Sequence, residues 1–164
     1  VLNKRDTDRG DLIETRLADY QNVSDANAII DLIDRYAQDP MGGGKPLPQA
    51  VREQMITGMA NMPGSFVVLA SVEEQTVGCA TCFMGFSTFK ARPLVNIHDL
   101  CVDAQWRNRG VGQRLIQAVA EEAQRRGCCK VTLEVRQDNP AQRLYQRSGF
   151  TSGEVSMWFL HKDL

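Results

Sequence analysis

The chain has 164 residues, with 19 Lys and Arg against 20 Asp and Glu and a net charge of -1. Hydrophobic residues make up 43% and charged residues 24%, which is ordinary globular usage, and the length suits a single domain over 1–164 that needs no metal or disulfide staple. The balanced charge argues against a nucleic-acid binder, whose footprint is a surplus of Lys and Arg. No apolar run is long enough to span a membrane, and without a secretory or lipidation signal the expected setting is the cytoplasm.

Ile13–Asp19 alternates and predicts a first strand. Ser24 and Asp25 offer a cap for a helix whose Ala28, Ile29, Leu32, Ile33 and Tyr36 recur at helical spacing. Pro40–Pro48 holds three prolines and three glycines, which predicts a loop. A second helix is expected over Pro48–Asn61, with Met55, Met59 and Met62 as a stripe for core packing. Phe66–Val72 and Thr76–Phe86 read as a hairpin turning at Glu73-Glu74-Gln75.

Leu94–Val102 and Lys130–Arg136 read as further strands. The helix between them carries Leu115, Ile116, Val119, Ala120 and Ala123 on one face. Arg114, Gln117, Glu121, Glu122 and Arg125 take the other, and Gly127 suits its left-handed stop. Asn139 and Pro140 open a short helix to Ser148, and the apolar Glu154–His161 predicts a last strand. The order β-α-α-β-β-β-α-β-α-β is that of a mixed α/β fold.

Five cysteines stand at Cys79, Cys82, Cys101, Cys128 and Cys129. Cys79 and Cys82 have the spacing of half a zinc or redox motif, but no second pair matches it. Three residues apart on a strand, they point to opposite faces and do not chelate together. They read as reduced core residues, and no metal is expected.

The informative segment is Val102-Asp103-Ala104-Gln105-Trp106-Arg107-Asn108-Arg109-Gly110-Val111-Gly112, between a strand and the amphipathic helix. Glycines let a ligand approach the backbone, and the first amides of a helix lack internal partners and sit at its positive end. Such a place suits a phosphate, and Arg107 and Arg109 add charge. Gly42-Gly43-Gly44-Lys45 is not a P-loop, because Pro46 stands where Ser or Thr is required. Gly110 and Gly112 resemble part of the dinucleotide fingerprint, but Leu115 occupies the third glycine position.

The pattern R-x-x-G-x-G, carried by Arg107, Gly110 and Gly112, resembles that of the GNAT superfamily of acetyl-CoA-dependent N-acetyltransferases. A second block, Asn139-Pro140-Ala141-Gln142-Arg143-Leu144-Tyr145-Gln146-Arg147-Ser148-Gly149-Phe150, is similar to the superfamily's N-x-A-x-x-L-Y-x-x-x-G-F pattern. The resemblance implies a mixed, mostly antiparallel sheet flanked by helices, with acetyl-CoA as co-substrate and no metal. It puts the cofactor diphosphate on Arg107, Asn108, Arg109, Gly110, Val111, Gly112 and Gln113, chiefly through backbone amides. It puts the pantetheine arm along Leu100, Cys101 and Val102, where two strands splay, with Asn139 as a polar contact. Tyr145 becomes the general acid. Edge-strand homodimers are common in the superfamily.

Phe83–Pro93 with Ile97-His98-Asp99-Leu100 resembles the diamine and thialysine acetyltransferase branch, which carries Glu-Asp where this chain has His98-Asp99. His98, suited to accept a proton near neutral pH, is the favoured base, directly or through a water. Asp99 keeps the acidic position, and Glu134 is a second candidate. The pair at 98 and 99 reaches one cleft together only if the strand bulges. The resulting expectation is acetyl transfer to a primary amine of a small molecule. The alternatives are protein N-terminal or lysine acetylation and a non-catalytic acyl-CoA sensor.

Overall fold

The computed structural model describes residues 13–153 and 160–163. They divide into two compact units at Glu134/Val135.

The first unit contains β1 (Glu14–Leu17), α1 (Val23–Gln38), α2 (Gln49–Asn61), β2 (Ser65–Val72), β3 (Gln75–Ser87) and β4 (Arg92–Val102). A 3-10 turn (Ala104–Trp106), α3 (Val111–Arg125) and β5 (Val131–Leu133) complete it. The strands form one sheet in the order β1-β2-β3-β4-β5. All pairs are antiparallel except β4 with β5. The second unit holds the short α4 (Gln142–Arg147). The expected mixed, mostly antiparallel sheet flanked by helices is therefore the observed fold.

The sheet has a helical layer on each face. Toward α1, Cys79 and Cys101 join Ile29, Leu32, Val67 and Leu69 in a buried cluster. Ile33, Tyr36, Met55, Ile56 and Met59 pack against it. Toward α3, the space above Gly78 is filled by Val111 Cγ1 and Leu115 Cδ1, at 3.1 and 3.2 Å from where a β-carbon would stand. That β-carbon would also lie 2.9 Å from the Cys101 carbonyl oxygen. Only glycine lets α3 settle this close to β3.

Several elements differ locally from expectation. Asn22, not Ser24 or Asp25, caps α1 by accepting from the amides of Ser24 and Asp25 at 2.9 and 3.2 Å. Asp25 is buried instead, taking both arms of Arg16 at 2.6 and 2.7 Å and the Asp19 amide at 2.9 Å. Met62 is 54% exposed and leaves the methionine stripe, because α2 has ended at Asn61.

The hairpin turns on Glu73 and Glu74 alone, both at positive φ (47° and 67°), as a tight two-residue turn requires. β5 spans only three residues, since Glu134 and Val135 have left the ladder. Asn139 accepts from the Ala141 amide at 2.9 Å one step ahead of α4 rather than capping it. The strand expected over Glu154–His161 lies mostly outside the described residues, and Leu160 and His161 are not in a strand.

Candidate active site

The site is built on β4. Its register against β3 slips once: Thr81 faces Asp99 and Cys82 faces Ile97, so His98 is an extra, unpaired residue. A bulge of this kind turns two successive side chains to one side. Asp99 accepts from the Thr81 hydroxyl at 2.6 Å, and the Asp99 amide donates back to Thr81 Oγ1 at 3.0 Å. The His98 ring stands edge-on to Phe83, with centroids 5.6 Å apart. Thr81 and Phe83 are two apart on β3 and share its α1 face. His98 and Asp99 therefore come together on that face, the condition the sequence left open. His98 is exposed while Asp99 is half-buried, its carboxylate engaged by Thr81.

β5 pairs with β4 only from Val95↔Val131 to Ile97↔Leu133. β4 continues to Val102 without that neighbour, so the strands part where His98 and Glu134 stand level with each other. Glu134 was only a second candidate by sequence. Its exposed carboxylate accepts from Asn96 Nδ2 at 3.0 and 3.2 Å, and the same amide group lies 3.3 Å from Thr132 Oγ1. Asn96 went unread by sequence, although an amide inside an apolar strand was a usable signal.

At the far end of β4 the chain enters the glycine turn. Asp103 caps the 3-10 turn by accepting from the Gln105 amide at 3.1 Å. Asn108 (φ 60°) and Gly110 (φ 89°) are both left-handed, which folds the segment back onto the start of α3. No side chain caps α3, and its first internal bond runs from the Arg114 amide to the Gly110 carbonyl at 3.0 Å. The amides of Val111, Gly112 and Gln113 are therefore left without partners inside the helix. Arg114 Nε is buried with no hydrogen-bond partner among the described residues. These observations fit an anionic ligand at the turn.

The arginines of the turn are placed differently from one another. Arg107 is exposed but tethered, donating from Nε to the Val102 carbonyl at 3.2 Å and from Nη1 to Asp39 at 2.9 Å. The Arg109 guanidinium lies over the Trp106 ring, 5.1 Å from its centroid. Of these two guanidinium groups only that of Arg107 is committed to other segments, so the turn offers backbone amides together with Arg109.

Leu100 and Val102 lie on the stretch of β4 that β5 leaves open, with Cys101 between them. Cys101 points into the core, where the Cys79 thiol beside it and burial push its own thiol well above the ordinary range. Burial likewise raises Cys82. Neither thiol is an available nucleophile. Among the described residues no group of His, Cys, Asp or Glu is arranged to hold a metal.

In the second unit, Tyr145 lies on α4, its ring edge-on to Phe150 at 6.0 Å. Asn139 holds the approach to the same helix.

The mixed sheet, parted between β4 and β5, and the helix that follows its glycine turn are the α/β fold shared with solved acetyltransferases. The chain belongs to the acetyltransferase (GNAT) family, whose model matches residues 29–150. Members of this family generally use acetyl-CoA as co-substrate.

An uncharacterized N-acetyltransferase of Methanocaldococcus jannaschii is 36% identical over 94 residues, covering 56% of this chain. The match covers 41% of that relative's own length. An aminoglycoside acetyltransferase from an uncultured soil metagenomic sample, solved with trehalose, has the same fold, with a TM-score of 0.76 and 21% identity over 94% of this chain and 98% of the other. Ribosomal-protein-alanine N-acetyltransferase from Brucella melitensis biovar Abortus 2308 matches with a TM-score of 0.69 and 17% identity over 91% and 99% of the two chains. No described helix is long and apolar enough to cross a membrane.

Proposed function

We propose that the chain works in the cytoplasm as one N-acetyltransferase domain, moving an acetyl group from acetyl-CoA to a primary amine of a small molecule. The observation that carries this reading is the parting of β4 and β5 at His98 and Glu134, with an amide-lined turn at the other end of the same open strand.

When bound, acetyl-CoA supplies a thioester carbonyl and a thiolate leaving group. The amides of Asn108 to Gln113 hold its diphosphate. The open edge of β4 from Leu100 through Cys101 to Val102 pairs with the pantetheine amides, and Asn139 adds a polar contact. Glu134, steadied by Asn96, draws the cationic amine toward His98. His98 takes a proton from the ammonium, directly or through a water, and the freed lone pair then forms the N–C bond; the second nitrogen proton passes to the Tyr145 oxygen once that residue has protonated the sulfur. Tyr145 gives a proton to the departing sulfur as the C–S bond breaks. Asp99 keeps His98 presented, because its clamp on Thr81 fixes the bulge.

The carboxylate of Glu134 beside the parted strands favours a cationic small amine as acceptor. An aminoglycoside acetyltransferase of the same fold has been solved with sisomicin, and aminoglycosides belong in the acceptor panel.

Thiol release from acetyl-CoA is measured across small amines, aminoglycosides and N-terminal and lysine peptides. Release with a small amine, and mass spectrometry of the acetylated product, supports the proposal. Release with peptides alone supports protein acetylation, and CoA binding without release on any acceptor supports a sensor. Tyr145→Phe is expected to lower kcat by about 100-fold with acetyl-CoA affinity little changed. Unchanged kinetics removes the acid role.

A further inference from the structure

Arg107 opens the glycine turn, yet its guanidinium bridges two other segments: the end of β4 at Val102 O (3.2 Å) and Asp39 Oδ2 (2.9 Å). Asp39 follows α1, and every acceptor it has is in use. Its second carboxylate oxygen accepts from the Met41 amide at 2.9 Å. Its carbonyl gathers the amides of Gly42, Gly43 and Gly44 at 2.8, 3.1 and 3.2 Å. The glycine-rich stretch is therefore a folded turn organised around one residue.

A second ion pair of opposite sense lies alongside: Arg35, in the last turn of α1, pairs with Asp103, whose other oxygen caps the 3-10 turn. Each carboxylate thus serves its own loop with one oxygen and an arginine of the other segment with the second. The end of the 39–48 loop is held as well, by the Leu47 amide donating to Asp34 at 2.7 Å.

We infer that Asp39 is a positioning residue that couples the 39–48 loop, through Arg107, to the turn proposed to receive the cofactor diphosphate. The inference rests on that functional reading. A ligand that fixes the backbone from 107 to 113 restricts Arg107, and Arg107 restricts Asp39. Asp39 in turn restricts the three glycine amides on its carbonyl. Ordering passes along this path as a shared loss of conformational freedom, and it is reciprocal. Occupancy of the turn tightens the loop, and a loosened loop weakens binding at the turn.

Hydrogen exchange of the full chain, with and without CoA, tests this. CoA is expected to slow exchange at 108–113 and, by roughly 3- to 10-fold, at Gly42–Gly44. Asp39→Asn keeps the shape and the backbone carbonyl but removes the charge. In it the slowing at Gly42–Gly44 is expected to fall below about 2-fold while that at 108–113 persists, and the CoA Kd rises about 5-fold with kcat nearly unchanged. Asp39→Glu, which restores the charge, is expected to recover part of both.

Slowing at 108–113 without slowing at Gly42–Gly44 in the wild type overturns this inference alone. So does faster exchange at Gly42–Gly44 on binding, because it would mean that Arg107 leaves Asp39 for the ligand. Full coupling in Asp39→Asn also overturns it. No slowing at 108–113 in the wild type overturns the functional reading and this inference with it.

Discussion

The two faces of the central strands are built from different physics. Toward α3, Ile97 and Val95 are 3% and 0% exposed, and Val111 and Leu115 press onto the bare backbone of Gly78. That face is close-packed and has no room to change. Toward α1, the same strand presents Asn96, His98 and Asp99, each touching a named neighbour on an adjacent strand. One added residue, His98, separates the two behaviours. Without the slip, strict alternation would send His98 and Asp99 to opposite faces. The buried face sets stability and the bulged face carries the proposed chemistry, so substitutions on the two should fail in different assays.

The largest effect on this contrast is expected at Gly78. A valine side chain would start 2.9 Å from the Cys101 carbonyl oxygen, which is backbone and cannot swing aside. Gly78→Val is expected to destabilise the fold by about 3 kcal/mol, read as a lowered urea midpoint. A midpoint within error of wild type would mean that α3 is not seated as closely as described. His98→Ala makes the opposite case. It is expected to cut kcat roughly 30-fold, about 2 kcal/mol of barrier, while the urea midpoint stays put. Unchanged kcat in this variant removes the base role from His98, and Glu134→Gln is then the next substitution to measure.

The packed face was far more legible in the sequence than the reactive one. Leu115, Ile116, Val119 and Ala123 repeat at helical spacing, and all four are buried on α3. Ile29 and Leu32 were likewise readable on α1. A bulge leaves no such trace, because inserting one residue changes register without changing composition. Gly78 reads as any strand glycine until a helix is placed above it. Asp39 and Arg107 are 68 positions apart, and so are Arg35 and Asp103. Such pairs follow from the fold and not from spacing. Arg107 was readable as part of a phosphate turn, but not as the residue that fastens the turn to the loop after α1.

Thr81→Val asks whether the clamp on Asp99 holds the bulge. Valine keeps the shape but loses both the 2.6 Å bond to the carboxylate and the acceptor for the Asp99 amide. A stability loss of about 1.5 kcal/mol is expected, with kcat falling more than acetyl-CoA affinity because His98 loses its presentation. Lost stability with unchanged kcat would make the clamp a support for the fold alone, and the two faces would then differ less than described.

The smallest effect concerns how α1 is fastened to the sheet side that carries the proposed chemistry. Asp25 is 2% exposed and bound by Arg16 and the Asp19 amide. The hydrogen bond from Arg16 outweighs burial and holds its carboxyl below the usual range. A carboxyl with a depressed folded-state value binds protons more weakly folded than unfolded. Its contribution is therefore complete above the ordinary carboxylate range and is lost as pH falls through the folded value. Unfolding free energy is expected to decline below about pH 4, with a share from Asp25 no steeper than about 1.4 kcal/mol per pH unit. In Asp25→Asn that share should vanish and the stability at neutral pH should be lower. If the variant keeps the wild-type slope, the acid sensitivity belongs elsewhere, and Asp39, lowered by the Met41 amide and Arg107, is the next carboxylate to replace.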